Sequence, residues 1–247
     1  GDRVILCDIN ERALTSVVDE LGEAVLFAAV VDVADASQME RFAHDALAAC
    51  AEIGGVGALV NNAGVAHVGG LLETTLAQWD WLLGVNLRGV IHGCHFFAPA
   101  MVSAGRGVIV NVASVLGFTP LGSSVAYVAS KFAVMGLSQS LHRELAPKGV
   151  AVCAICPGLI STNIMGDATF SDEAAAQAQR GKLQRWFAKA GASPDVVAAA
   201  IVAALSKPRP VIPVTKAAWL LWAHAHAVPE NAAARLATLL QALNKRL

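Results

Sequence analysis

Short apolar runs alternate with helix-period segments along almost the whole chain, and no other feature limits its possible folds so sharply. Residues 4–7 form an apolar run that ends at Asp8. Asn10 is placed to cap a helix reaching Leu21, where Gly22 stops it. Residues 24–33 read as a second strand, and Ser37 as the cap of a helix running to about Ala51. Residues 57–64 make a third strand entering a turn, 76–104 a long helical region, and 107–114 a fourth strand. A helix over 123–145 and a fifth strand over 149–156, closed by Pro157-Gly158, come next. Strands that are apolar throughout are buried on both faces. Interleaved with helices they predict a parallel sheet, and right-handed crossovers make it a doubly wound, three-layer α/β fold.

The 247 residues show no internal repeat, low-complexity tract or linker, so a single domain over 1–247 is expected. Hydrophobic residues at 55% against charged residues at 15% supply a large core and argue against disorder. Lys and Arg number 18 against 19 Asp and Glu, a balance with no bulk field for nucleic acid. Five cysteines, odd in number and without framework spacing, fit free thiols in a reducing, cytoplasmic compartment. The nearest approach to a membrane span, 211–228, is interrupted by Pro213, Lys216 and two histidines.

Ligands of doubly wound sheets bind beyond the carboxyl ends of the strands, and there the conspicuous polar residues fall: Asp8, Asp32, Asn61, Asn62, Ser114 and the loop after Pro157. A carboxylate at the position of Asp8 can accept both hydroxyls of an adenosine ribose and would repel a 2′-phosphate, which favours NAD over NADP. Asp32, followed by Val33, can meet an adenine edge or simply end its strand. In "NNAG", Asn61 and Asn62 can bond backbone groups, while Gly64 lets the chain turn or approach a ligand closely. Ser114 can cap a helix or bring its hydroxyl to a site. Tyr127 and Lys131 of "YVASK" stand four apart on one helical face. Such a pair is either a surface contact or an acid whose pKa a fixed positive charge lowers.

These residues occur in the order and spacing of a known set. With Asn86 in "WLLGVNLRG" and with Ile160 and Thr162 after Pro157-Gly158, the chain from residue 1 to 162 resembles the short-chain dehydrogenases/reductases of the non-extended type, with a Rossmann-like fold. YxxxK alone is weak, but the motifs together are highly specific. The resemblance implies an oxidoreductase that moves a hydride between a nicotinamide cofactor and a secondary alcohol or ketone. It gives Tyr127 the proton transfer, Ser114 the substrate oxygen, and Lys131 the nicotinamide ribose and the lowering of the Tyr127 pKa. Asn86 would keep a relay water. Asp8, Asp32, Val33, Asn61, Asn62, Ala63, Gly64, Pro157, Gly158, Ile160 and Thr162, together with Tyr127 and Lys131, would hold the cofactor. No metal is implied, and a homodimer or homotetramer through the 76–104 and 127–145 helices is.

The family's glycine-rich turn has no counterpart here, so roughly one strand–helix unit is expected to be missing ahead of residue 1. This polypeptide would then bind NAD poorly, and NADP use would need a basic residue in that turn. The rival reading is a catalytically silent dinucleotide-binding module that acts through partner or membrane contacts. The chain divides into a cofactor-binding and catalytic core (1–165), a substrate lid (166–195) and C-terminal helices (196–247) broken at Pro229. The helices are expected to pack on the core or on a second subunit, with a membrane surface as the alternative. Cys153 and Cys156 form a CxxC, but within a strand they face opposite sides. His92 and His95 are expected to pack or meet a subunit, and Trp79 and Trp81 to pack.

Overall fold

The computed structural model describes residues 2–227, and over 173–179 the backbone alone. Three strands and two helices open the chain: β1 (Val4–Asp8), α1 (Glu11–Leu21), β2 (Val25–Val30), α2 (Ala36–Cys50) and β3 (Ala58–Asn61). The short β4 (His67–Val68), α3 (Leu76–Leu83), α4 (Gly89–Ser103), β5 (Gly107–Val112), α5 (Val125–Leu145) and β6 (Val150–Cys156) follow. After them come β7 (Thr169–Phe170), α6 (Glu173–Ala190), α7 (Asp195–Ser206), β8 (Val211–Pro213) and α8 (Lys216–Ala227). Every strand pairing among the described residues is parallel. The fold is Rossmann-like, with helices on both faces.

Alternation along the strands shows how the layers form. In β6, Val150, Val152, Ala154 and Cys156 join the core with Val134 and Met135 of α5 and Val90 and Cys94 of α4. Cys153 and Ile155, pointing the other way, pack with Val110 under Val197, Ala200 and Ala204 of α7. The two cysteines of the CxxC are thus on opposite faces of the sheet, as the two-residue period of a strand requires.

Local chemistry moves several predicted boundaries. Asp35, not Ser37, caps α2, because its Oδ1 accepts from both Ser37 N (2.9 Å) and Gln38 N (3.0 Å). One carboxylate thereby satisfies two orphan donors at a positive helix end, which a hydroxyl does less well. The second strand stops at Val30 rather than 33, since Asp32 N turns away to Gln38 Oε1 (3.0 Å). Over 76–104 the helix is interrupted by one turn of π-helix, Gly84–Arg88. The 211–228 run opens in β8, with Pro213 on an outer strand where its missing N–H costs no central ladder bond. Its remainder is α8, and the helix predicted beyond Pro229 lies outside the described residues.

The sheet is in two parts. β3, β5, β6 and β8 hydrogen-bond in that order, β1 pairs with β2 alone, and β4 pairs with β7. Ile5 and Cys7 of β1 and Leu59 of β3 nevertheless share one hydrophobic cluster beneath α2 and α4.

Candidate active site

Ser114 stands just beyond β5, and the chain turns there through a single 3-10 turn, Val115–Gly117. The turn sits tightly on α5: a side chain on Gly117 would meet the Lys131 carbonyl oxygen at 2.8 Å and Met135 Cγ at 2.7 Å. Only glycine allows that approach, and the approach brings Ser114 to α5. Its side chain accepts from Leu116 N (3.1 Å) and faces the Tyr127 phenol, where it favours the ionised form. The cap and the site contact therefore coexist in one residue. Lys131 is buried, donates from Nζ to the Val112 carbonyl (3.0 Å), and stands 5.6 Å from the centre of the Tyr127 ring. The YxxxK pair is not a solvated surface contact.

The titration behaviour differs from the sequence expectation. Burial pushes the Tyr127 phenol up to about 12, and the Ser114 side chain only partly opposes it. Burial also brings the Lys131 ammonium down to about 8, against a smaller opposing effect of Cys156. The lysine was expected to make the phenol more acidic. In the protein alone, without a nicotinamide's positive charge, burial dominates, so the resting tyrosine is a neutral hydrogen-bond donor.

Asn86 lies wholly buried in the π turn. Its Oδ1 accepts from Val65 N (2.8 Å), while its Nδ2 donates to Val65 O (3.0 Å) and Ser130 Oγ (3.1 Å). Ser130 in turn donates to the Tyr127 carbonyl (2.7 Å). The Asn86 side chain thus stitches the loop after β3 to the helix turn that bears the tyrosine. A π turn, with its extra residue, aims one side chain out of the helical repeat, and such turns recur at functional sites.

The other predicted residues divide into two groups. Asn62, Ala63 and Gly64 are exposed, and a Cβ on Gly64 would stand 3.6 Å from Lys131 Nζ. Asp8, at the exposed end of β1, accepts from Asn10 N (2.8 Å), and Asp32 accepts from Ala34 N (2.9 Å). Pro157 O accepts from Val115 N (2.9 Å), which ties the loop after β6 to the Ser114 turn. Gly158 has Thr215 against it, Ile160 is buried, and Thr162 is exposed. Asn61 departs from the expected cofactor role. Its amide turns into the core and donates to Asn111 Oδ1 (2.8 Å), and Asn111 continues to Ser138 Oγ (3.0 Å).

Sequence reading missed Asn111, Ser130 and Ser138, which resemble ordinary strand and helix residues until the fold brings them together. It also missed what His92 does: its Nδ1 donates to the Val33 carbonyl (2.8 Å) and so fixes the turn at Asp32.

Residues 1–173 match the family described as short chain dehydrogenase. The chain belongs to that family. It is 37% identical over 237 residues to the probable oxidoreductase EphD of Mycobacterium tuberculosis, a match covering 93% of this chain and 40% of that protein. It is 36% identical over 162 residues to a 3-alpha-(or 20-beta)-hydroxysteroid dehydrogenase of the same species, covering 66% of this chain and 61% of that enzyme. The chain thus spans less than two thirds of either relative's length. A Burkholderia phymatum short chain dehydrogenase/reductase crystallised with NAD superposes with a TM-score of 0.79 at 32% identity, over 92% of this chain and 83% of that one. No described helix is long and apolar enough to cross a membrane.

Proposed function

We propose that this chain is an NAD-preferring alcohol dehydrogenase or ketoreductase acting on a moderately apolar secondary alcohol or ketone. One observation carries the reading: the Ser114 turn packs tightly on α5 at Lys131, and that buried ammonium lies 5.6 Å from the centre of the Tyr127 ring, beyond the carboxyl ends of β5 and β6. A nicotinamide dinucleotide fits the residues present. Asp8 offers an exposed carboxylate to ribose hydroxyls, and the exposed segment 62–64 lies beside the Lys131 ammonium, 3.6 Å from where a Cβ on Gly64 would stand. When bound, the nicotinamide supplies the hydride acceptor or donor.

The chain's own groups handle the proton. Ser114 holds the substrate oxygen by its hydroxyl. Tyr127, a phenol at rest, donates to that oxygen when a ketone is reduced, and its phenolate takes the proton back when an alcohol is oxidised. Lys131, charged below about pH 8, favours that phenolate. Asn86 and Ser130 hold the tyrosine's helix turn against the loop after β3. Ala66, Met165 and Phe170 pack with Tyr127 in one apolar cluster, and these apolar surroundings of the phenol support a lipophilic substrate. Five free thiols suit a cytoplasmic setting. The exposed Ile91 and Phe132 on α4 and α5 suit a subunit contact there, a reading that sedimentation tests.

The deciding experiment follows nicotinamide absorbance with a panel of secondary alcohols, ketones and steroids. Turnover that disappears in Tyr127→Phe while NAD affinity persists supports the enzyme. Turnover that survives the substitution, or an unmodified protein inert toward every member of the panel, overturns it in favour of a silent binding module.

A further inference from the structure

His67 lies outside the machinery above, yet it is 1% exposed and both ring nitrogens are engaged. Nδ1 faces Thr169 Oγ1 at 2.8 Å, and Nε2 faces Ser171 Oγ at 3.0 Å and Thr74 Oγ1 at 3.2 Å. Thr74 already donates its hydroxyl hydrogen to the Gly70 carbonyl (2.7 Å), so toward His67 it can only accept. That assigns the proton to Nε2 and makes Thr169 the donor to Nδ1. Burial lowers the imidazole pKa, in keeping with this neutral form.

The cluster joins three pieces of chain that the sequence keeps far apart. Residues 64–70 run past Lys131 at Gly64 and are held to Asn86 at Val65. They pair with 169–171 through Thr169 N to Ala66 O (3.1 Å) and Ser171 N to Val68 O (3.1 Å). At Gly69 they pair with the entry to α5, where Gly69 N donates to Ser123 O (3.0 Å) and Val125 N to Gly69 O (3.3 Å), two residues before Tyr127. Phe170, Met165 and Tyr127 share one hydrophobic cluster with Leu183 and Phe187 of α6. Arg180 of α6 lies over the Phe170 ring, 5.2 Å from its centre. Any side chain on Gly69 would run into Ser171, His67 and Thr74. Glycine there is the condition for the cluster to close.

We infer that His67 is a positioning residue that clamps the 169–171 segment, and with it α6, against the tyrosine's end of the site, and so sets how tightly substrate is held. Two β4–β7 pairs are too few to hold such a segment alone. A side chain bonding three hydroxyls from two segments supplies the rest. The inference rests on the oxidoreductase reading for its kinetic consequence, but the clamp itself can be tested without turnover.

Three variants of the full chain are compared: His67→Leu, which leaves three hydroxyls without their partner; His67→Gln, which keeps a donor and an acceptor; and Thr169→Val, which removes one bond. In His67→Leu the substrate KM rises about tenfold or more while kcat stays within about threefold and the NAD KM is unchanged. Trypsin then cuts faster at Arg180, Lys182 and Arg185. His67→Gln restores most of both properties, and Thr169→Val falls between. If His67→Leu does not fold, the other two are read against the unmodified protein. Unchanged proteolysis and KM in the variants overturn the clamp, as does an equal loss of kcat, substrate affinity and NAD affinity, which marks a general packing defect. Proteolysis that shifts as stated in a protein with no turnover keeps the clamp and refutes the enzyme.

Discussion

Between β5 and β6 six consecutive residue pairs are in register, and six of the seven β6 residues are buried. In the β1–β2 pair no strand residue is fully buried, and Val30 at its end is 50% exposed. Strands β5 and β6 each have a strand neighbour on both sides and helices on both faces. Strands β1 and β2 each have a single strand partner, so their backbone groups are less protected and their side chains less packed. The candidate site straddles this contrast. Ser114 follows β5, Lys131 is held by the Val112 carbonyl, and Pro157 follows β6, so the proton-handling groups hang on the well-built part. Asp8 ends β1 and Asp32 follows β2 on the sparser one. The groups proposed for proton transfer and those proposed for adenosine binding therefore stand on mechanically separable parts.

The sharpest way to break that separation is Tyr127→Phe. Its kcat is expected to fall about 10²–10⁴-fold, the usual reach of a positioned acid or base, with NAD binding by calorimetry unchanged. A matching loss of NAD affinity would show that the two parts act as one. The pH profile comes next. For ketone reduction, kcat/KM is expected to decline as pH rises through about 8, where Lys131 loses its charge in the free protein. Tyr127, pushed up to about 12, stays a phenol throughout that range and cannot be the source of the decline. A profile flat to pH 10 would exclude the lysine.

Asn111→Leu probes the better-packed part for stability rather than chemistry. It takes the Asn111 partner from the Asn61 amide, left only the weak Cys94 Sγ contact at 3.5 Å, and from the Ser138 hydroxyl, left bonded to the Val134 carbonyl, and about 1–3 kcal/mol of stability is expected to go. For a chain of this size that is a fall of roughly 2–4 °C in melting temperature per kcal/mol. A melting temperature unchanged by the substitution would show that water replaces the lost partner. Asp8→Ala does the opposite: the NAD KM is expected to rise about tenfold, as for one lost charge-assisted hydrogen bond, with kcat and melting temperature nearly constant. A variant that also accepts NADP sharpens the cofactor assignment.

The same contrast governs what could be read before the structure. Continuous apolar strands and helix-period segments carry the parallel layered fold in one dimension, and fixed spacings place Ser114, Tyr127 and Lys131. Contacts across the sheet leave no such mark. Asn61 and Asn111 are fifty positions apart, and their pairing arises only from the β3–β5 register. His67 and Ser171 meet only because β4 and β7 pair. The π turn at Asn86 and the early cap at Asp35 depend on hydrogen-bond competition within one turn, which periodicity averages away. The effect of burial on the Tyr127 pKa escaped the sequence for a related reason. Charge proximity can be read from an i, i+4 spacing, but depth of burial cannot.

Helix α4 is where the two parts of the sheet are joined, and the smallest predicted effect falls there. Gly93 lets it close on Asn61 of β3, and Gly89, one turn earlier, lets it close on Val33 beyond β2. His92, on the same helix, donates to the Val33 carbonyl. A rigid helix gripping both strands' ends transmits position from the well-built part to the sparser one. His92→Leu keeps the helix and its packing but releases that carbonyl. The NAD KM is expected to rise about threefold, at the low end of one hydrogen bond's net worth, with kcat unchanged. A much larger rise would mean that α4, rather than the β1–β2 pairing, holds Asp32 in place. No rise at all would mean that the Asp32 turn is fixed by its own bonds to Ala34 and Gln38, and that the two parts are independent even where one helix touches both.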